Sequence, residues 1–254
     1  MAMQIADATK AISLAIALAL LCSSAQGQAR AAIYPIGDIS IVVPIPDGYV
    51  ELNEIAGDKR RFESLRTLFR SVVALPNRSI AIFLSQDELN TFAAGGELKI
   101  SRAFIVTTHK DFENRTISAH DFQAAAAVLR NQGKEYVDTR EIGRLAVQGQ
   151  LNDALDSIRQ KNRITPLSIE LNQPIPMGVF QDDSQSIGVT HLVSGNVVSG
   201  SQKKPVLEIH AGLGTLVKGR IVSFRVTSDF RSTEDFEWVK ANAINWYRQF
   251  RAVN

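Results

Sequence analysis

Residues 206–250 read VLEIHAGLGTLVKGRIVSFRVTSDFRSTEDFEWVKANAINWYRQF, which spells strand, tight turn at Lys218-Gly219, strand, short loop and long helix. Val222, Phe224 and Val226 alternate with Ser223, Arg225 and Thr227, the period of a strand with one buried and one wet face. The buried face needs a cover. The next segment supplies it, because Phe236, Val239, Ala243, Trp246 and Phe250 recur at spacings of three and four and line one stripe of a helix. Ser232 caps that helix with Asp235 as capping-box partner, and acidic residues at its start and Arg248 and Arg251 at its end complement the helix dipole. Trp238 falls off the stripe: it either covers the rim of the core or anchors a partner.

Upstream, an eleven-residue apolar run from Ala11 to Leu21 follows Lys10 and precedes Cys22-Ser23-Ser24-Ala25-Gln26-Gly27. A membrane-spanning helix needs about 20 residues, so the run matches the hydrophobic region of a secretory signal peptide. Small residues at Ala25 and Gly27 set cleavage between Gly27 and Gln28, which assigns residues 1–27 to the signal and the mature chain to the periplasm or the exterior. Asp7 offsets Lys10, so the alternative is an uncleaved anchor, and only then would the chain meet a membrane. Cys22 is the sole cysteine, so the mature chain has neither disulfides nor thiol chemistry and holds together through its core.

The 254 residues are 45% hydrophobic and 21% charged, an ordinary globular composition. Net charge is +2, and dispersed Arg and Lys without interleaved aromatics argue against a nucleic-acid partner.

Taken in order, residues 33–52 are extended and broken at Pro35 and Gly37, and prolines at 44 and 46 with Asp47-Gly48 mark an edge and a turn. Asp58–Ala74 is a helix with Phe62, Leu65, Phe69 and Val72 inward and Lys59, Arg66 and Arg70 outward, a solvated basic face or one meeting an anionic surface. Ser79–Ser85 is a strand, Gln86–Ala94 a short helix and Glu97–Thr108 a strand. Ser118 caps a helix whose stripe is Phe122, Ala125, Ala126 and Leu129. Residues 135–161 form a connecting helix, bent near Gly149. Strands follow at 166–173 and 187–193, with an exposed loop over Gly195–Lys204.

Punctuation recurs in the same order in both halves. Pro44-Ile45-Pro46, Phe104 to Thr108, Asp111-Phe112 and Ser118 to Phe122 are echoed by Pro174-Ile175-Pro176, Phe224 to Ser228, Asp229-Phe230 and Ser232 to Phe236. The fold class is α+β: antiparallel or mixed sheets packed against helices, with a long C-terminal helix. An internal repeat would arrange it as two related units, 28–134 and 162–254, joined by the helix over 135–161.

Gly178-Val179-Phe180, Leu216 to Arg220, Asp235-Phe236-Glu237-Trp238 and Trp246 together resemble a family of exported bacterial proteins of uncharacterised function. That family has no assigned activity, so the resemblance implies no catalytic residue. The proline-rich extended start, meandering sheet and final helix are also similar in pattern to the PsbP and Mog1 class, an analogy of fold alone.

No HExxH pairing joins His109, His120, His191 or His210, and no serine sits in a G-x-S-x-G elbow. Gly212-Leu213-Gly214 lacks the setting of a dinucleotide site and reads as a flexible turn. Asp182, Asp183 and Asp229 lack the spacing of a cation loop. No cofactor, metal or catalytic residue is therefore assigned. The leading expectation is a non-enzymatic envelope protein that binds a protein partner or a small ligand. The alternative is an enzyme whose site assembles in space from His191, His210 and nearby carboxylates such as Asp182 or Asp183, strand histidines being otherwise packed singly in the core.

Overall fold

A computed structural model describes residues 30–55, 59–71, 73, 77–96, 99–131, 144–157 and 167–254. Residues 1–29, on which the expected signal peptide falls, and much of the expected connecting helix lie outside them. Ten strands are described: β1 (Ala31–Ile36), β2 (Ile39–Pro44), β3 (Tyr49–Glu51), β4 (Asn77–Ser85), β5 (Arg102–His109), β6 (Leu167–Leu171), β7 (Ile175–Asp182), β8 (Ser186–Ser199), β9 (Gln202–Val217) and β10 (Arg220–Asp229). The helices are α1 (Lys59–Ser71), α2 (Gln86–Ala93), α3 (Ala119–Asn131), α4 (residues 144–157) and α5 (Thr233–Val253).

β1 and β2 form a hairpin of their own, and the other strands join one sheet in the order β3-β4-β5-β10-β9-β8-β6, with β7 also paired to β8. Every described ladder is antiparallel. The molecule is α+β, an antiparallel sheet against helices with a long C-terminal helix. Segments 28–134 and 162–254 meet at the β5–β10 ladder, so the two expected units do not have separate sheets. Around that seam the strand order is mirrored, since β3, β4, β5 and β8, β9, β10 each run from outside to centre. The helices break the mirror. α5 packs on the face of Phe104 and Phe224, while α3 packs on the opposite face through Phe122, Ala126 and Ile187.

The first face holds the larger core, built from Phe83, Phe104, Val106, Phe224 and Val226 beneath Val239, Ala243, Trp246 and Phe250 of α5. The capping box between Ser232 and Asp235 is present. At the β9–β10 turn Lys218 and Gly219 have φ of 48° and 75°, the two-residue turn with positive φ at both positions whose twist matches the strands it joins. The β1–β2 hairpin closes this face: Trp246 Nε1 donates to the Pro44 carbonyl at 2.8 Å, and buried Arg220 reaches Asp38 at 2.5 Å. Trp238 covers the core rim, edge-on to Phe104 at 5.9 Å and with Arg102 4.1 Å over its ring.

The opposite face packs Ile82, Leu84, Ala103 and Ile105 under Phe62, Leu65 and Leu89 of α1 and α2. Arg66 does not serve a basic surface stripe. Its guanidinium donates to the carbonyls of Leu52 and Ile55, each at 3.2 Å, and braces α1 against the chain leaving β3. Val72 lies outside the described residues.

Several expectations are corrected. Residues 195–204 are not a loop, because β8 runs to Ser199 and β9 starts at Gln202. The polar side chains there sit on a projecting ladder with Gly200 at φ 57° in its turn, and Lys203 pairs with Glu170 of β6 at 2.8 Å. Gly212 and Gly214 are not a turn either, being mid-strand in β9 opposite Arg225 and Ser223. Ala125 is exposed, so the stripe of α3 is Phe122, Ala126 and Leu129. The helix α4 runs through Gly149 without a break.

Candidate functional site

Two places on the second face bring polar chemistry together. The first is a row across the sheet: Pro176, His191, His210 and Thr227 are successive register partners on β7, β8, β9 and β10. Their shared parity follows from antiparallel pairing, in which directly opposed residues project from the same face. His210 Nε2 lies 2.8 Å from Glu208 Oε2. His191 is buried, and burial together with the neighbouring charge of His210 lowers its pKa to about 4. It is therefore neutral at physiological pH. Burial raises the Glu208 carboxyl, but the bond from His210 and the charges of His210 and Arg225 outweigh this and leave its pKa below the usual value.

Of the sequence-derived candidates, then, His191 and His210 do meet across a ladder, but the carboxylate that joins them is Glu208. Asp182 is held by Arg130, with contacts of 2.8 to 3.0 Å. Asp183 accepts from the backbone of Gln185 and Ser186, each at 2.7 Å, and closes the turn into β8. Asp229 pairs with Arg231 at 2.8 Å. These aspartates are each engaged locally, and among the described residues no group of three or more His, Cys, Asp or Glu is arranged to hold a metal ion. His120 is exposed at the start of α3, and His109 stacks on Phe112 at 4.5 Å.

The second place is a cleft of about 530 Å³ between α1 and α4, floored by β4. α4 is set there by its amides. Asn152 accepts from the Ile169 amide at 2.7 Å and Gln148 from the Leu171 amide at 2.9 Å, so one face of α4 covers the open edge of β6. Gln150, on another face of the same helix, has its side-chain amide against the carbonyls of Val73 and Ser71, to which it would donate at 2.9 Å and 3.3 Å once the amide is turned over. The helix thus ties the β6 edge to the end of α1. The cleft between them has an apolar floor of Leu52, Val73, Ile80, Ile82 and Ala154. Asn53, Arg70, Asn77, Arg78, Lys110 and Asp153 contribute polar groups around it. No histidine lines it.

No protein-family model matches this chain, and no curated protein matches it. Among solved structures it is similar to the solution structure of a cyanobacterial PsbP from a Synechocystis species. Identity there is 10%, the match covers 91% of this chain and 92% of that one, and the TM-score is 0.26. Resemblance at this level transfers no site residue.

The sequence marks Arg70 only as part of a basic helix face, and neither the remaining cleft residues nor Glu208 are among its candidates. The cleft is assembled from five separate stretches of chain, so no local spacing marks it. Glu208 had a usable signal, since it lies two positions before His210 on one strand and the two share a face. No helix among the described residues is long and apolar enough to cross a membrane.

Proposed function

We propose that this chain is an exported, non-enzymatic binding protein that holds a small ligand in the cleft between α1 and α4. The cleft carries the reading. Its volume of about 530 Å³ falls within the roughly 300–1,000 Å³ of small-molecule sites, and an apolar floor with a few converging polar groups is their usual lining. The signal-like residues 1–27 support action in the envelope or outside the cell.

A thermal-shift screen of a small-molecule library against the full chain and a Thr67→Trp variant, which fills the cleft from α1, tests this reading. Compounds that stabilise the parent but not the folded variant are expected; no stabilising compound, or equal stabilisation of both proteins, contradicts it. Export is tested by intact mass after cell fractionation. A soluble species starting at Gln28 is expected, and a membrane-bound species retaining Met1 would make residues 11–21 an anchor.

The second reading, an acid–base site, draws on the 2.8 Å contact between His210 and Glu208 beside His191. A hydrolytic activity abolished by His210→Gln with the melting temperature unchanged would favour it over ligand binding alone.

A further inference from the structure

We infer that the ligand of the α1–α4 cleft is a small organic monoanion with an aliphatic body, an inference that rests on the cleft being a binding site. Charge and polarity around the cleft are unequal in a way that selects this class. Arg78 is met by Glu113 at 2.7 Å, so that pair adds little net field. Arg70 is held by the neutral amide of Asn53 at 3.3 Å, and among the described residues neither it nor Lys110 has a carboxylate partner. Against these cations stands Asp153. The remaining balance is one positive charge, from Arg70 and Lys110 less Asp153.

One anionic group satisfies that balance, whereas a dianion would leave charge unmatched beside Asp153. The guanidinium of Arg70 presents a planar set of donors suited to a carboxylate. More of the cleft's exposed lining is apolar than polar, so the rest of the ligand must be apolar to gain from covering it. A short-chain carboxylate has both parts.

Calorimetric titration of the full chain with hexanoate, hexanamide and inorganic phosphate tests the assignment. Hexanoate is expected to saturate one site, hexanamide to bind at least tenfold more weakly and phosphate to show no saturation. Arg70→Gln and Lys110→Gln should each weaken hexanoate several-fold while leaving hexanamide and the melting temperature unchanged. Equal binding of hexanamide and hexanoate, or indifference to both substitutions, overturns the anion preference and leaves the cleft reading standing. Phosphate binding as tightly as hexanoate overturns the apolar body. If none of the three probes binds while the library screen returns cleft-dependent compounds, the ligand class is wrong and the cleft reading survives; if the screen is also empty, both fall.

Discussion

Trp246 lies where α5, the β1–β2 hairpin and three strands of the sheet meet. Its ring stands edge-on to Phe83, Phe104 and Phe224 at 5.8, 5.1 and 4.9 Å, and its indole N–H is spent on the Pro44 carbonyl. Removing it opens a cavity and orphans a carbonyl, so Trp246→Ala should cost roughly 3–5 kcal/mol, read as a lowered denaturant midpoint; an unchanged midpoint would mean α5 does not dock here. His191 makes a pH prediction. Its pKa is about 4 in the fold and about 6.5 in an unfolded chain, so between these values the unfolded state binds the extra proton and stability rises with pH. The contribution is complete above about pH 6.5 and lost as pH falls through 4, on the order of 3 kcal/mol in all. Urea unfolding at pH 7.5 and pH 5 should show this slope in the parent and a flatter one in His191→Gln. Equal slopes would place the titration elsewhere.

At the level of elements, α4 and β6 depend on each other. The amides of Ile169 and Leu171 find their acceptors in Asn152 and Gln148, and a buried donor left without one costs about 1–3 kcal/mol. Asn152→Leu should therefore lower stability by about that amount and leave the β6 edge unsatisfied, with aggregation on warming as the visible result. Unaltered stability and solubility would show that the helix does not cover the edge. This coupling was not legible in the sequence. The α5 unit was, because Ser232, Asp235 and the Phe236-to-Phe250 stripe are local signals that agree with one another. α4 shows only diluted periodicity, and what fixes its position is bonding to a strand some twenty residues away. Likewise β7 went unread, since Pro176 and Gly178 look like a turn, yet an edge strand with bulges accommodates both.

Across the whole molecule, one antiparallel sheet separates two unlike faces. One is sealed by α5 and the hairpin over an aromatic core, and the other carries α1 to α4, the cleft and the histidine row. Strand order is mirrored around the β5–β10 seam, and the cleft lies on the face that carries α1. The cleft and the histidine row draw on different elements of the same face, so a probe can tell them apart. Amide and side-chain NMR shifts of the full chain titrated with hexanoate make that distinction directly. Binding in the cleft is expected to change the signals of Arg70, Ser71, Asn77, Gln150 and Asp153, saturating together. Changes centred on His191, Glu208 and His210, with the cleft silent, would contradict it.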